Sequence, residues 1–277
     1  MSEQKRPDKK ATPQTAKPIP RSRARFRTLA ALAGGIVSIS AVVAALLVFV
    51  VAEGGDSDAP AGPTAVIVDQ LDLTAPNPEF AEAATKTLEE AGYVVEYVPG
   101  AEVTVDFYRE LPDQGYDMVI LRSHSARLQS EFAGEPVDEV ILFTNEGWTD
   151  QKYVSEQETG QLTTARYNDD GERYFGIAPS FIEESAQGSF DGTTIVLMGC
   201  EGLGSERTAE VFVRKGAQSV ISWDGLVSAT HTDAATEELL ELMLLGQLPA
   251  AEAVAETMTS VGPDPTYGSK LLSLPAN

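Results

Sequence analysis

The sequence predicts an α/β domain with a mostly parallel sheet, preceded by one N-terminal transmembrane helix. From residue 64 onward, short β-branched runs alternate with stretches of helical spacing, which is typical of strands covered by helices. The runs 117–121 and 194–198 are continuously apolar after their first residue, as expected of strands buried on both faces of a parallel sheet. Residues 28–52 carry no charged side chain, and a helix of this length crosses a hydrocarbon core of ~30 Å.

Charge and composition divide the chain into four segments. Residues 1–27 are basic, polar and Pro-containing, and predict a disordered cytoplasmic tail. Residues 28–52 predict the membrane helix; a cleaved signal peptide is the alternative, but its apolar stretch spans only ~7–15 residues. Residues 53–63 predict a flexible acidic linker, and residues 64–277 the domain. The basic flank keeps the N-terminus in the cytoplasm, so we expect an extracytoplasmic domain on a single-pass anchor.

The overall charge of the chain limits its partners. The formal net charge is −22, although the N-terminal tail is basic. An acidic domain repels nucleic acid and anionic lipid, so we expect no nucleic-acid partner. The same charge also suits solubility or a salty habitat, and the sequence does not separate these explanations. The expected partners are a protein or peptide substrate and the lipid bilayer around residues 28–52.

Start and stop signals place the remaining elements along the chain. Asn77 and Pro78 are typical of a helix start, and Gly92 of a helix end. Residues 126–175 break the α/β rhythm and predict an insertion with one strand, 140–143, at the edge where a substrate would lie. The predicted strands cover 65–68, 93–98, 117–121, 194–198 and 217–222, and the predicted helices 78–91, 105–111, 179–185, 205–215, 234–245 and 249–260.

His124 and Cys200 each follow a strand that is predicted to be central and buried. Because the carboxyl ends of parallel strands meet at one edge of a sheet, neighbouring strands would bring both side chains to the same rim. A thiol and an imidazole in this arrangement form a nucleophile and its base. Attack requires the thiolate, so we expect His124 and the amino end of a helix at Ser205 to lower the pKa of Cys200. The N–H of Cys200 is expected to help bind the oxyanion.

Other interpretations of the lone cysteine have less support. Cys200 is the only cysteine, so it is either a buried, inert side chain or a reactive thiol. Arg207 follows it with one residue too many for a C-x5-R phosphatase loop. The two histidines and the cysteine lack paired ligand spacing, so no metal site is expected. Serine-hydrolase and nucleotide-binding motifs do not occur, so no cofactor is expected either.

Three segments resemble the caspase-like (clan CD) cysteine peptidases, nearest the gingipain, clostripain and CHAT-type branches. They are YDMVILRSHSA (116–126), TTIVLMGCEGL (193–203) and GAQSVISWDGLVSATHTDAA (216–235). Over roughly residues 64–260, the resemblance implies a caspase-like three-layer α/β/α domain that needs no metal. It implies that Cys200 is the nucleophile and His124 the general base or acid. Many family members carry Gly after the histidine, where a backbone N–H shapes the oxyanion hole; this chain has Ser125.

Two aspartates are candidates for a specificity pocket. Asp69 ends the first strand, where several basic-specific relatives place an acidic pocket residue, and Asp224 follows a later strand. A carboxylate there would pair with an Arg or Lys immediately before the scissile bond. Alternatively, both aspartates cap turns. Trp223 either lines the same pocket or packs under the sheet edge, and His231, the alternative base, is expected to be structural.

Two hypotheses of different classes follow from these features. The first is a membrane-anchored cysteine endopeptidase that uses a Cys–His dyad and cleaves after Arg or Lys. The second is a catalytically inactive caspase-like domain that acts as an extracytoplasmic sensory or protein-interaction module.

Overall fold

The computed structural model describes residues 62–132, 135–168 and 170–275. The predicted basic tail, the predicted transmembrane helix and most of the predicted linker lie outside these residues. Within the described ranges, no helix has the length and apolar character that crossing a bilayer requires.

Strands and helices alternate along the described residues. The strands are β1 (Thr64–Asp69), β2 (Val94–Pro99), β3 (Met118–Arg122), β4 (Ser125–Phe132), β5 (Glu135–Gly147), β6 (Leu162–Ala165), β7 (Tyr174–Ile177), β8 (Thr194–Leu197), β9 (Ser219–Trp223) and β10 (Leu271–Leu274). The helices are α1 (Pro78–Glu90), α2 (Val105–Glu110), α3 (Val154–Glu158), α4 (Pro179–Glu184), α5 (Glu206–Arg214), α6 (Ala229–Leu240) and α7 (Ala250–Ser260). Short 3₁₀ turns follow β1 (Gln70–Leu73), β2 (Gly100–Glu102) and α2 (Leu111–Gln114), and a π-helical turn (Glu241–Leu245) extends α6.

The main sheet has six strands in the order β10-β9-β8-β3-β1-β2. Its neighbouring strands pair in parallel, except that β10 is antiparallel to β9. Since β2 and β3 lie on opposite sides of β1, the strand order reverses there, which is where open α/β sheets bind ligands. Strands β3 and β8 are neighbours, with Leu121 opposite Leu197. The predicted adjacency of the strands before His124 and Cys200 is therefore confirmed.

Alternating residues of the central strands face two separate hydrophobic cores. Val66 and Val68 of β1 pack with α2, α4, α5 and the strands that follow β4. Ala65 and Ile67 face the other side and pack with α1, α6 and α7. A mostly parallel sheet between two covering layers fits the caspase-like architecture that the resemblance implies.

The insertion is more regular than the sequence predicts. The predicted strand, 140–143, lies within β5, but the sequence did not predict its partners: β4, β5, β7 and β6 form a four-stranded antiparallel sheet in that order. One face of this sheet buries Leu142, Leu162 and Phe175 against the first core, and the opposite face also carries buried apolar residues, Ile141, Phe143 and Ala165. Many Glu, Thr and Gln residues stand between these buried positions in the sequence and hide the two-residue period of the strands.

Two elements near the C-terminus differ from those predicted. Strand β10 was not predicted, although it pairs with β9 at the edge of the main sheet. Helix α6 begins at Ala229 rather than at residue 234, so that His231 lies within its first turn. By contrast, α1 begins as predicted: Asn77 Oδ1 accepts a hydrogen bond from Phe80 N–H at 3.2 Å, and Pro78 occupies the first turn.

A buried ion cluster joins the sheet to the helices. Arg122 ends β3 and is 1% exposed. Its Nη1 donates to Asp69 Oδ1 at 2.7 Å, and its Nε and Nη2 donate to both oxygens of Asp233 at 2.8 and 2.9 Å. The Arg122 cluster (Asp69, Arg122 and Asp233) therefore holds β1, β3 and α6 together. Burial alone lowers the pKa of Arg122, but the bonds to Asp233 and Asp69 outweigh this and raise it.

The side chains around the Arg122 cluster satisfy its remaining oxygens. Tyr97 donates its hydroxyl to Asp69 at 3.1 Å, and Asn77 Nδ2 donates to Asp233 at 2.8 Å. Burial nevertheless raises the pKa of Asp69 above its ordinary value of 3.8. The guanidinium thus opposes the rise in the pKa of Asp69 that burial causes.

Replacing the guanidinium should destabilise the fold in a pH-dependent manner. We expect Arg122→Met to lose about 3–5 kcal/mol of unfolding free energy at about pH 7, because two buried carboxylates lose their counter-ion. The raised pKa of Asp69 rises further in the variant. A carboxyl with a raised folded-state pKa favours the fold at low pH, and this contribution is lost as pH rises through that pKa. The deficit should therefore be smaller at about pH 4.5 than at about pH 7, as urea unfolding of the full-length protein measures.

Lys86→Met supplies the control for this experiment. Lys86 forms an exposed ion pair with Glu90 at 3.5 Å. We expect its loss to cost less than about 0.5 kcal/mol. Equal losses in the two variants, or a deficit independent of pH, would contradict the role given to the Arg122 cluster.

Candidate active site

His124 and Cys200 line one small cavity at the carboxyl ends of β3 and β8. The cavity has a volume of about 50 Å³. Ser123 and Gly199 form its backbone edge, and the remaining lining residues are Leu71, Met198, Val227, Ala229 and Thr232. The structure thus places the imidazole and the thiol at one rim of the sheet.

A tight turn presents Cys200 after β8. Glu201 adopts a left-handed conformation with φ of 59°, and its N–H donates to Gly225 O at 2.8 Å. Only glycine fits at position 199, because a β-carbon there would overlap Ser125 Oγ and the backbone oxygen of Ser123. Ser125 Oγ in turn donates to Cys200 O at 2.6 Å. The turn is therefore held from both sides.

The thiol of Cys200 is half-buried and bonded to the loop that precedes α6. Its S–H donates to Val227 O at 3.6 Å, and Val227 N–H donates to the sulfur at 3.5 Å. Burial raises the pKa of Cys200, and the negative charges of Glu201 and Asp264 add to the rise. The lowered thiol pKa that the sequence predicts is therefore wrong, since desolvation outweighs the donors near the sulfur. Ser205 stands directly before α5, as predicted, but its hydroxyl donates to Asp138 O at 2.9 Å and does not cap the helix.

His124 sits against aromatic residues of the inserted sheet. Its ring centroid lies 4.9 Å from that of Tyr167 and 5.9 Å from that of Phe143. Burial, reinforced by the positive charge of Arg122, lowers the pKa of His124 below its ordinary value of 6.5. The imidazole is therefore neutral at neutral pH, as a general base must be.

Thr74 holds the outer nitrogen of the imidazole. Its Oγ1 lies 3.1 Å from His124 Nε2 and 3.5 Å from Leu71 O. The loop that carries Thr74 is anchored below, since Ala75 O accepts a hydrogen bond from Arg122 Nη2 at 2.8 Å. The Arg122 cluster therefore positions the loop that contacts the histidine.

A second polar network fixes the backbone of His124. Gln70 is fully buried, and its Oε1 accepts a hydrogen bond from His124 N–H at 2.8 Å. Its Nε2 donates to Asn145 Oδ1 and to the Tyr167 hydroxyl, both at 2.7 Å. Burial raises the pKa of Tyr167 to about 12, so the hydroxyl stays protonated and donates to Asn145 at 2.5 Å.

Sequence reasoning missed these supporting residues. Gln70 carried a signal, because it is a polar residue shortly after the apolar run 65–68. Asn145 and Tyr167 carried none, since they lie in an insertion that showed no clear periodicity.

The backbone around Ser125 is oriented toward the turn of Cys200. His124 O accepts from Phe143 N–H on the paired side of β4, whereas Arg127 N–H donates to Glu201 Oε2 on the open side. Because N–H directions alternate along a strand, Ser125 N–H points to the same open side as Arg127 N–H. The oxyanion role predicted for the N–H groups of Ser125 and Cys200 remains a prediction.

The predicted specificity residues lie apart from the cavity. Asp69 is 2% exposed and paired with Arg122, so its expected role in a substrate pocket is wrong. Trp223 is fully buried, and its Nε1 donates to Thr232 Oγ1 at 2.9 Å, which leaves the packing role. Asp224 is exposed at the end of β9, where its Oδ1 accepts from Lys270 N–H at 2.7 Å.

His231 has the structural environment that its position in the sequence predicts. Its ring packs on Trp223 with centroids 5.4 Å apart, and its Nε2 shares a hydrogen bond with Gly262 O at 3.1 Å. Across the part of the chain that the structure describes, no three His, Cys, Asp or Glu side chains are grouped to hold a metal ion.

The pH dependence of Cys200 alkylation should show that burial raises the pKa of the thiol. We expect alkylation of Cys200 by iodoacetamide to rise with pH around a midpoint above the free-cysteine value of about 8.5, because burial favours the protonated thiol. At about pH 7 the rate should fall below that of a free cysteine peptide. Mass spectrometry of the full-length protein measures this rate directly, since no other cysteine competes.

Glu201→Gln serves as the electrostatic comparison, because it removes one negative charge near the sulfur. The midpoint should move down in this variant. A midpoint well below about 8.5 in the unmodified protein would instead indicate an activated thiolate and contradict the neutral thiol.

Neither a protein-family model nor a curated protein matches the sequence. Among solved structures, the chain is similar to the crystal structure of gingipain R, an Arg-specific cysteine proteinase. The TM-score is 0.40 at 11% sequence identity, and the alignment covers 73% of this chain and 44% of that one. The chain thus spans less than half the length of gingipain R, and its function is inferred from the geometry of the site alone.

Proposed function

We propose that the domain is a cysteine peptidase in which Cys200 is the nucleophile and His124 its base. The observation that carries this proposal is the shared cavity, which both side chains line at the carboxyl ends of neighbouring parallel strands. Half-burial leaves each group within reach of a bound peptide, and the neutral imidazole is ready to accept a proton.

The proposed reaction uses two proton transfers through His124. Cys200 Sγ forms a bond to the scissile carbonyl carbon while the imidazole accepts the thiol proton. The C–N bond then breaks, and the imidazolium gives its proton to the leaving amine. Water attacks the resulting thioester and gives a proton to the imidazole. When the C–S bond breaks, that proton returns to the sulfur and the carboxylic acid leaves.

The contact between Thr74 and His124 supports one tautomer in this scheme. A hydroxyl proton that is donated to Leu71 O leaves Thr74 Oγ1 as the acceptor for Nε2–H. The lone pair of the ring then resides on Nδ1, which is the nitrogen assigned to the thiol proton. The Ser125 N–H on the open side of β4 is a candidate donor to the oxyanion, together with Cys200 N–H.

We further propose that residues 28–52 anchor the protein in a membrane and that the domain lies outside the cytoplasm. The uncharged stretch and its basic flank support this orientation. The preference for Arg or Lys that the sequence predicts requires a carboxylate beside the substrate. Asp69 is paired with Arg122, so this preference now depends on Asp224 alone.

The second candidate function is a non-catalytic interaction module. The observation that favours it is the resting state of the thiol, which is protonated and bonded to the backbone of Val227. In that case Cys200→Ala would leave partner binding and the cellular phenotype unchanged.

Single substitutions should separate these two functions. We expect Cys200→Ala to abolish hydrolysis of fluorogenic peptides, because no other thiol is present. His124→Ala should lower kcat/KM by about 10²–10⁴-fold, the usual contribution of a general base. His231→Gln is the matched control and should retain activity, since this histidine lies in α6 against Trp223. Activity that survives Cys200→Ala would overturn the proposal.

The pH dependence of kcat/KM should show a broad plateau. Its acid limb should lie below 6.5, because burial lowers the pKa of His124. Its alkaline limb should lie above about 8.5, because burial raises the pKa of Cys200 and only the singly protonated pair is active. A narrow profile, with both the acid limb and the alkaline limb close to pH 7, would contradict a neutral thiol beside a neutral imidazole.

A further inference from the structure

We propose that the cavity beside Cys200 and His124 binds the side chain immediately before the scissile bond, and that it selects small, uncharged residues such as Ala and Val. This inference rests on the proposed peptidase function and names its substrate class. It departs from the preference for Arg or Lys that the sequence predicts.

The cavity lies directly beside the two proposed catalytic side chains. Cys200 and His124 form part of its wall, so a peptide whose carbonyl carbon meets the sulfur directs its nearest side chain into this space. Beside the sulfur, the cavity is lined by Leu71, from the turn after β1, and by Val227, from the loop after β9. The assignment therefore follows from the place where the bond is cut.

The walls of the cavity are mostly apolar. Leu71, Met198 and Val227 are 4%, 1% and 8% exposed, and they present apolar surface to the cavity. Two lining residues bear a hydroxyl: Ser123, which is hydrogen-bonded to Tyr108, and Thr232. Thr232 Oγ1 donates to Met198 O at 2.9 Å and accepts from Trp223 Nε1 at 2.9 Å. Both hydroxyls are thus already paired, and a charged substrate side chain would lose its hydration without gaining a partner.

The two carboxylates whose charges raise the pKa of the thiol already accept hydrogen bonds from backbone N–H groups. Glu201 Oε2 accepts from Arg127 N–H, and Asp264 accepts from the N–H and the hydroxyl of Ser228. Burial alone raises the pKa of Asp264, but the hydrogen bonds that it accepts from backbone N–H groups outweigh this and lower it to about 2. Asp264 is therefore a fixed anchor of the loop rather than a partner for a substrate cation.

The volume sets the size of the accepted side chain. A water molecule needs roughly 10–15 Å³ of such space. The cavity of about 50 Å³ therefore holds about four groups of that size. The methyl of Ala and the isopropyl of Val fit, whereas the side chains of Arg, Lys and Phe exceed the available room.

A peptide series tests this selection. The full-length protein in detergent is offered fluorogenic peptides that differ only in the residue before the scissile bond: Ala, Val, Leu, Phe, Arg or Lys. We expect kcat/KM for Ala and Val to exceed that for Arg and Lys by about tenfold or more. Peptide aldehydes ending in Ala or Arg provide a second measurement, since capture of Cys200 does not require turnover.

Two substitutions change the size of the cavity in opposite directions. Val227→Ala keeps both backbone contacts to the sulfur and widens the space, so the ratio of Leu to Ala cleavage should rise about tenfold. Ala229→Leu narrows it and should reduce cleavage after Val more than cleavage after Ala. Leu226→Ala is the matched control, because this neighbouring side chain is 48% exposed and lies outside the cavity lining. Thermal unfolding of each variant confirms that it is folded.

The outcomes distinguish this proposal from the one on which it rests. Cleavage that favours Arg, Lys or Phe, or that is indifferent to the residue, overturns the cavity assignment and leaves the peptidase standing. The cavity assignment also fails if neither Val227→Ala nor Ala229→Leu alters the ranking of the peptides. No cleavage of any peptide, with no capture by either aldehyde, overturns the peptidase and the cavity assignment together.

Discussion

The guanidinium of Arg122 is the interaction on which the candidate site depends. It neutralises Asp69 of β1 and Asp233 of α6 within the interior and binds Ala75 O in the loop between β1 and α1. That loop carries Thr74, which contacts the imidazole of His124. His124 itself lies two residues after Arg122 in the sequence. Breaking such a pair leaves buried charges unpaired and costs several kcal/mol, about 3–5 by analogy with other buried ion pairs. The guanidinium of Arg122 therefore joins the elements at one end of the sheet and also supports the loop that contacts His124.

The electrostatic state of the site follows from burial more than from pairing. Desolvation disfavours the charged form of each group, so the pKa of Cys200 is raised and that of His124 is lowered. Both act toward a neutral thiol beside a neutral imidazole. Under the proposed function, charge separation is deferred until a substrate carbonyl and the proposed oxyanion donors are in place, where fixed dipoles would stabilise the developing charge. The positive charge of Arg122 contributes by keeping the imidazole unprotonated.

Much of the main sheet was predictable because its central strands are long apolar runs, and such runs are typical of a parallel sheet covered on both faces. The location of His124 and Cys200 followed from the ends of two of these runs. The role of Asp69 did not, although Asp69 and Arg122 face each other in the register of β1 and β3. A charge at the end of each neighbouring strand would have predicted an ion pair instead of a pocket. The contacts of Gln70 with Asn145 and Tyr167 could not be predicted, since they span 75 and 97 residues and involve an insertion whose strands are interrupted by polar sequence.

The hydrogen bonds between the sulfur of Cys200 and the backbone of Val227 have a consequence outside peptide chemistry. Peroxides and disulfides, like carbonyls, react with the thiolate and hardly with the protonated thiol. A sulfur held neutral between two backbone groups is thereby shielded from sulfenic acid formation and from mixed disulfides. A chain without a second cysteine has no intramolecular route to resolve such damage. The thiol of Cys200 is therefore chemically durable because it does not ionise readily.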